Sequence, residues 1–461
     1  MPTSRRSLRA AALATALFAF PAAAQDTARY SPAADRLITA ALHDSAAWNR
    51  IAELTDTFGS RLSGSEALEQ AIDWTLARMR ADGLENVRGE DVMVPHWVRG
   101  AESAELVTPR RKPLSMLGLG GSVGTPEGGV TAPVLVVGSF DELRRRANDA
   151  RGRIVLFDVP FTEYRQTVAY RAIGASAAAR AGAVAMLLRS VASFSINSPH
   201  TGQLRYDTTV ARIPAAAITV EDALLLHRLQ DRGQAVTVTL RMGARMLPDA
   251  RSRNVVAELR GREKADEVVV IGGHLDSWDV GQGAMDDAGG VVVAWEALRL
   301  MKQLGLRPRR TVRVVGWTNE ENGTRGGLAY RAAHAAEVGR HVFALESDNG
   351  VFKPHGIAAV ASDSALAMLR RIAPLLARIG ADRVTRGEGE ADIGPLLAAG
   401  VPGAGLEVDE SRYFWYHHTD ADTPDKLDPH HVAECVAVMA VYAYVLAEMP
   451  EILPSQRQRR E

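Results

Sequence analysis

The second half of the chain alternates short apolar runs, rich in Val and Ile, with longer stretches whose apolar residues recur at helical spacing. Runs of β-branched residues between helices are typical of parallel strands that are buried on both faces. We therefore predict an α/β fold with a mostly parallel mixed sheet flanked by helices, and a kink or break at Pro374. The predicted strands are 255–259, 268–272, 311–317, 341–345 and 401–408, and the predicted helices are 288–304, 328–336, 366–379 and 431–449.

A different texture separates residues 129–245 from the rest of the chain. Short apolar strands alternate here with Ala-rich helical stretches, and His, Asp and Glu residues do not cluster. A segment rich in Gly, Ser and Pro at 112–128 precedes this region and is typical of a linker. These features predict a small domain inserted into a larger one, which is formed by 25–128 and 246–461.

The first residues of the chain predict an export signal. A basic start with three arginines is followed by an apolar run at 10–20 and by small residues before Gln25. This order is typical of a cleaved secretory signal, here residues 1–24, and the run is too short for a stable membrane anchor. The only cysteine, Cys435, excludes an intramolecular disulfide. We therefore expect a bacterial periplasmic or secreted protein without a membrane anchor.

The charge of the chain argues against a nucleic-acid or lipid partner. Lys and Arg total 54 and Asp and Glu total 55, so the net charge is −1 with neutral histidines. A chain without a strong electrostatic field does not attract polyanions. We therefore expect small or neutral partners and no nucleic acid.

Acidic and histidine residues gather at five places near the predicted strand ends of the larger domain. Taken singly, each has an ordinary alternative, such as a solvated loop residue or a helix cap. Because the carboxyl ends of parallel strands meet at one edge of a sheet, five such groups together predict a shared site. The groups are His274 with Asp276, the pair Asp286-Asp287, the pair Glu320-Glu321, the run Glu346-Ser347-Asp348, and His417-His418 with Asp422.

The donor types in these groups suit metal ions. Histidine and carboxylate ligands without a thiolate favour zinc, with cobalt or manganese as alternatives. The candidates outnumber one tetrahedral shell, so two metal ions that share a bridging carboxylate fit better than one. Paired metal ions of this kind activate water and polarise a carbonyl group for hydrolysis.

Long motifs in this region resemble the co-catalytic zinc aminopeptidase family, and within it the carboxypeptidase Q branch. The resemblance is carried by 272–287, by the run from Gly400 to Gly403, and by the aromatic run that ends in His417-His418. It implies a zinc exopeptidase fold of the phosphorylase/hydrolase type, with residues 129–245 as a protease-associated domain. It also implies two Zn²⁺ per chain and suggests a homodimer.

The resemblance further implies which residues hold the metal ions. His274 and Asp348 would bind one zinc, and Glu321 and His418 would bind the other. Asp286 would bridge the two. The second of the two adjacent histidines is the expected ligand because its spacing to the following Asp-Thr pair matches the family pattern.

Roles outside the metal ligands follow from the same resemblance. Glu320, the first of the glutamate pair, would be the general base, and Asp276 would orient the first metal-bound histidine. The residues expected near the substrate are Asp392, Tyr416 and His417.

The implied function is the hydrolysis of small unblocked peptides by a metallo-exopeptidase. Dipeptidase, carboxypeptidase and aminopeptidase activities all fit this expectation. Two alternatives use the same scaffold: a glutaminyl cyclase-like enzyme, whose relatives bind one zinc, and a non-catalytic binding protein, whose relatives lose ligands. The complete ligand set and the base at Glu320 favour a catalytic protein with two metal ions.

Overall fold

The computed structural model describes residues 28–455, so the export signal predicted at 1–24 lies outside the described residues. The described strands form two eight-stranded sheets. In chain order they are β1 Glu85–Val98, β2 Glu102–Thr108, β3 Lys112–Leu114, β4 Met116–Gly118, β5 Val130–Val137, β6 Ile154–Phe157, β7 Ala185–Arg189, β8 Ala215–Ile218, β9 Thr237–Met242, β10 Arg245–Leu259, β11 Lys264–His274, β12 Arg310–Trp317, β13 His341–Glu346, β14 Pro354–Val360, β15 Arg383–Arg386 and β16 Gly403–Val408.

The α-helices of residues 28–455 cover both sheets. In chain order they are α1 Ser31–His43, α2 Ala46–Phe58, α3 Glu66–Ala81, α4 Phe140–Arg145, α5 Ala147–Ala150, α6 Tyr164–Arg180, α7 Val220–Asp231, α8 Gly289–Gln303, α9 Arg325–Ala333, α10 Asp363–Ile372, α11 Gly394–Ala398, α12 Tyr413–Tyr416 and α13 Pro429–Glu448. A turn of π-helix at Ala284–Ala288 precedes α8, and a 3-10 segment at Ala373–Ile379 follows α10. The predicted break at Pro374 is therefore confirmed, because α10 ends two residues before the proline.

The first sheet has the strand order β1-β10-β12-β11-β13-β16-β14-β15. Its four central strands, β12, β11, β13 and β16, are parallel, whereas β1, β10 and β14 join it antiparallel to a neighbour. Strand β12 is buried at every position because helices lie on both faces. Helices α8 and α13 pack on one face, and Trp317 packs edge-on against Tyr330 of α9 on the other. The predicted mostly parallel mixed sheet flanked by helices is confirmed.

Helix α13 has the length and apolar composition of a membrane span. However, 83% of its apolar window is buried inside the fold. The helix packs along α8 and α1 and beneath the central strands. Cys435 lies in this helix and is fully buried. Helix α13 is therefore the core helix of the larger domain.

The second sheet has the order β3-β2-β9-β5-β6-β7-β8-β4 and forms the inserted domain. Strands β5 to β8 are parallel, and the outer strands pair antiparallel. Strands β2, β3 and β4 precede residue 129, so the sheet begins earlier in the chain than the composition indicated. The segment 112–128 was predicted as a linker but contributes β3 and β4. Strands of three residues are too short to leave a periodic pattern among Gly and Ser.

The two domains are joined by one antiparallel ribbon and by direct packing. Val98 at the end of β1 pairs with Arg245 at the start of β10, so the chain enters and leaves the inserted domain side by side. Trp278 of the larger domain is 2% exposed and packs in the core of the inserted domain. Gly120 permits this contact, because a Cβ at that position would overlap the indole ring.

Candidate metal centre

Five polar side chains converge where the central strands of the first sheet end. His274 is the last residue of β11, Glu321 follows β12, and Asp348 follows β13. Asp286 lies in the turn before α8, and His418 follows α12. Because β11, β12 and β13 are parallel neighbours, their carboxyl ends bring these loops to one edge of the sheet.

Two groups of three ligand atoms share the carboxylate of Asp286. His274 Nε2 lies 3.2 Å from Asp286 Oδ1 and 3.0 Å from Asp348 Oδ1. His418 Nε2 lies 3.2 Å from Asp286 Oδ2 and 3.1 Å from Glu321 Oε2. One carboxylate thus faces two histidines, with one oxygen toward each.

The tautomer of His274 directs a nitrogen lone pair into this centre. Its Nδ1 donates to the backbone carbonyl of Asp276 at 2.9 Å, which leaves Nε2 of the neutral ring without a hydrogen. An unprotonated nitrogen and carboxylate oxygens at this separation repel each other unless a proton or a metal ion lies between them, and the same carboxylates raise the pKa of His274 well above its ordinary value although burial opposes this. Asp286 Oδ2 is buried and makes no hydrogen bond, which has the same cause. The donor set therefore fits divalent metal ions.

The excess of carboxyl groups leads to the same conclusion. Glu320 lies beside the two groups of ligand atoms without belonging to either. Burial, with the Asp348 carboxylate nearby, raises the pKa of Glu320 to about 8. Burial and the charge of Asp286 raise the pKa of Glu321 well above its ordinary value. Carboxyl groups this crowded ionise together only when cations neutralise them.

The carboxylate of Asp276 holds the loop that carries Glu320 and Glu321, here called the glutamate loop, rather than the ring of His274. Its carboxylate accepts the backbone N–H groups of Glu320 and Glu321 at 3.1 and 3.3 Å. Its Oδ1 is 3.8 Å from His274 Nδ1, and the ring is oriented instead by the Asp276 backbone carbonyl. The expected effect on the histidine is therefore present, but it comes from a different atom of the same residue.

Two further carboxylates fix the turn that carries Asp286. Asp422 accepts the backbone N–H groups of the first two residues of this turn at 3.0 and 2.8 Å. Asp287 accepts from the N–H of His274 at 3.0 Å and from the N–H of Gly290, at the start of α8, at 2.8 Å. The backbone thus occupies Asp287, whereas Asp286 keeps its oxygens directed at the two histidines.

His417 and Asp287 are close enough to the centre to be considered as further ligands. His417 Nε2 is 3.7 Å from Asp286 Oδ2, which is farther than the corresponding nitrogen of His418. Its ring stacks on the ring of His418 with a centroid distance of 3.5 Å. Both oxygens of Asp287 already accept backbone N–H groups. The geometry therefore favours His418 over His417 as the ligand.

The inserted domain contacts the same histidine pair. His418 Nδ1 lies 3.3 Å from the carbonyl of Thr201, and the Thr201 N–H donates to the His418 carbonyl at 3.0 Å. His200 Nδ1 donates to the His417 carbonyl at 2.7 Å. Arg171, which is 7% exposed, places Nη1 3.4 Å from His418 Nδ1. The sequence had attached no function to these three residues of the inserted domain.

A cavity of about 720 Å³ opens onto the candidate ligands and is lined by both domains. From the larger domain it is lined by Glu320, the metal-ligand candidates Asp286, Glu321, Asp348 and His418, and aromatic residues of the 413–417 run. The inserted domain contributes four residues of helix α6 and two of the loop that follows β7: Tyr164, Val168, Arg171, Ala172, Gln203 and Arg205.

The three residues expected near the substrate lie in different places. His417 lines the cavity. Tyr416 lies outside its lining, and its hydroxyl accepts a hydrogen bond from Arg412 at 2.7 Å. Asp392 is fully buried outside the lining, and burial, with Glu346 nearby, raises its pKa well above the ordinary value.

Comparison with known proteins follows the same division of the chain. Residues 254–443 match the model of Peptidase family M28, and residues 128–226 match the PA domain. Carboxypeptidase Q of Mus musculus is 48% identical over 434 residues, which covers 93% of this chain and 92% of the mouse protein. The chain belongs to peptidase family M28.

Within family M28 the chain is similar to the carboxypeptidase Q branch. Carboxypeptidase Q of Homo sapiens is 49% identical over 408 residues, covering 88% of this chain and 86% of the human protein. A peptidase M28 precursor from Shewanella amazonensis SB2B is 36% identical, with a TM-score of 0.89 over 93% of this chain and 99% of that chain. The predicted family, the inserted PA domain and the metallopeptidase class are confirmed.

Proposed function

We propose that this M28 peptidase is a di-zinc exopeptidase that removes single residues from small unblocked peptides, with Glu320 as the general base. The observation that carries the proposal is the sharing of Asp286. Its two oxygens face two separate histidines, and each histidine has a second carboxylate partner. A carboxylate shared in this way supports a pair of metal ions rather than one.

The bound zinc ions would supply a polarised peptide carbonyl and a water molecule of lowered pKa. The chain's own residues do the rest. Glu320 lines the cavity beside the ligands without belonging to either set, so its carboxylate is placed to take a proton from water and return it to the leaving amine. The carboxylate of Asp276 accepts the backbone N–H of Glu320 and so holds this part of the glutamate loop in place.

The size of the cavity supports a small substrate. Its volume of about 720 Å³ lies within the range of sites that enclose small molecules. Walls from two domains restrict access to the ligands, which favours the end of a short peptide over the middle of a folded chain. Dipeptidase, carboxypeptidase and aminopeptidase action all remain within this proposal.

The proposal also covers the setting of the enzyme. The basic and apolar order of residues 1–24 supports export to the periplasm or the medium. The likeness to the carboxypeptidase Q branch supports a homodimer. Fractionation of the producing cells and light scattering of the purified protein test these two points.

The central experiment compares two adjacent glutamates. We expect about two zinc ions per chain by elemental analysis, from the ligand count. Glu320→Gln should keep both ions and lose roughly 10²- to 10⁴-fold in kcat on unblocked dipeptides, because it removes the proton-transfer group. Glu321→Gln should instead lose bound zinc, because it weakens a ligand. One ion or none in the wild type, with no peptide hydrolysed, would overturn the proposal.

A further inference from the structure

Two cations from the inserted domain line the active-site cavity, and they differ in how they are used. Arg171 lies on helix α6, and its guanidinium is already hydrogen-bonded within the protein. Its Nη2 donates to the hydroxyl of Tyr164 at 2.8 Å, and its Nη1 lies 3.4 Å from the carbonyl of Thr201. Gly202 packs flat against the same guanidinium, so a Cβ there would collide with it. Arg171 therefore acts as a structural support beside the metal-binding histidine.

Arg205 is the opposite case. Its side chain is exposed and lines the cavity, and within residues 28–455 no hydrogen bond, ion pair or ring contact reaches its guanidinium. Two other exposed arginines of the inserted domain are paired: Arg165 with Glu388, and Arg180 with Asp207. Asp207 is only two residues from Arg205 and still pairs with Arg180. An arginine that lines the cavity and has no partner among the described residues is available for a ligand.

The backbone of Arg205 is fixed although its side chain is free. Leu204 is 4% exposed and packs in the core of the inserted domain. The Arg205 N–H donates to the carbonyl of Ala172 on α6 at 2.7 Å, next to Arg171. Gln203 donates from Nε2 to the carbonyl of Asn322 in the glutamate loop at 3.0 Å. The backbone of Arg205 is thus held at a fixed position relative to the glutamate loop, which limits the region that its guanidinium can reach to the cavity and its mouth.

The charge of the cavity indicates what Arg205 would bind. Two divalent ions would balance the four carboxylates in the lining, which leaves the two arginines as the net positive charge. Arg171 already has oxygen partners. A guanidinium with free N–H groups prefers a carboxylate, which it binds through two parallel hydrogen bonds.

We propose that Arg205 is a specificity-determining residue that binds the free α-carboxylate of the substrate, so that the enzyme acts on short peptides with an unblocked carboxyl terminus. This inference rests on the proposed function, because it assumes that a peptide occupies the cavity. It deepens that proposal by placing recognition of the carboxyl end on the inserted domain, opposite the residues that would hold the metal ions.

The test measures binding, so that it does not depend on turnover. The zinc-loaded Glu320→Gln protein is titrated by calorimetry with Ala-Leu and with Ala-Leu amide. The amide should bind about 10- to 100-fold more weakly, because a charge-assisted bidentate pair is lost. Adding Arg205→Ala should weaken Ala-Leu by a similar factor and leave the amide unchanged. Arg205→Lys should give an intermediate affinity, since it keeps the charge without the fork.

Two controls separate the outcomes. Arg232→Ala removes an exposed arginine of the same domain at the end of α7, outside the lining of the cavity, and should change neither affinity. Ala-Glu amide carries its carboxylate only on the side chain. If Arg205→Ala weakened this peptide in place of Ala-Leu, the α-carboxylate assignment would be overturned.

Failure of this inference is distinguishable from failure of the proposed function. Equal effects of Arg205→Ala on the acid and the amide, or no effect on either, would remove Arg205 as the carboxylate anchor even if the wild type cleaves both peptides. Absence of zinc and of hydrolysis in the wild type would overturn the proposed function, whatever the calorimetry of the arginine variants gives.

Discussion

Segments that follow parallel strands in both sheets reach the same cavity, but they bring different side chains. In the larger domain the segments after β11, β12 and β13 bring carboxylates, and the segment after β16 brings His417 and His418. In the inserted domain the segments after β6 and β7 bring Tyr164, Arg171 and Arg205. One sheet thus presents a set of groups that needs cations, and the other presents cations. The comparison indicates that chemistry and recognition are divided between the two domains.

The two regions also differ in how strictly their side chains are held. Apart from Glu320, the carboxylates that hold or support the two groups of ligand atoms either face a histidine or accept backbone N–H groups, so replacement of one leaves others unbalanced. The inserted domain contributes one committed arginine and one free arginine. We expect substitutions in the first region to have larger effects than those in the second, and three predictions are ordered accordingly.

The largest effect is expected from matched aspartate-to-asparagine changes in the two regions. Asp286→Asn should lose most of the bound zinc, because both proposed ion sites share this carboxylate. Its kcat should fall by more than roughly 10⁴-fold, which is the largest loss expected when only a proton-transfer group is removed. Asp222→Asn, in the inserted domain, disturbs a buried carboxylate held by Lys112 and the N–H of Ser115. It should lower the melting temperature and leave the zinc content unchanged. Elemental analysis after dialysis decides, and two zinc ions retained in Asp286→Asn would contradict the shared site.

A smaller effect is expected from Asp276→Asn. The amide keeps one carbonyl oxygen where the carboxylate accepts two backbone N–H groups, so one N–H of the glutamate loop loses its partner. We expect kcat/KM to fall about 10- to 100-fold, the usual range for partners behind a metal site. Circular dichroism should report an unchanged fold. A variant with wild-type kinetics would show that Asp276 does not position the glutamate loop.

The smallest effect compares two glycines of the inserted domain with positive φ. Gly202 has φ +134° and packs against Arg171, whereas Gly233 has φ +69° and open space where a Cβ would lie. Alanine at Gly233 should cost about 1 kcal/mol of stability from the backbone alone, and alanine at Gly202 should cost more, because φ +134° is reached almost only by glycine. Only Gly202→Ala should also weaken zinc binding, about 10-fold, because it displaces the support of His418. Competition with a chelator measures the zinc affinity of each variant. Equal affinities in the two variants would show that Arg171 does not support zinc binding through His418.

Much of the metal centre could be predicted because its residues follow strands whose pattern is strong. Strand β11 is apolar from Val268 to Ile271, and parallel strands must deliver the residues after them to one edge. The resemblance then implied His274, Asp286, Glu321, Asp348 and His418 as ligands, and the structure brings these five side chains together.

The contribution of the inserted domain could not be predicted in the same way. Arg171, Thr201 and Arg205 reach the cavity only because two domains dock, and no local pattern encodes that docking. One signal was present in the helix of Arg171. Thr167, Arg171, Gly174 and Ala178 recur at helical spacing on its buried face, and an arginine at such a position requires a polar partner.

The ribbon between the domains has a consequence for the order in which the chain folds. Strand β1 pairs with β10, so the whole inserted domain is synthesised between the two partners. Closing a loop of this length is entropically costly, but an inserted domain that folds first places Val98 beside Arg245 and reduces the closure to the zipping of a hairpin. The inserted domain is in this sense an internal folding template, and a nascent chain that stops before Arg245 would leave β1 as an exposed edge open to misassembly.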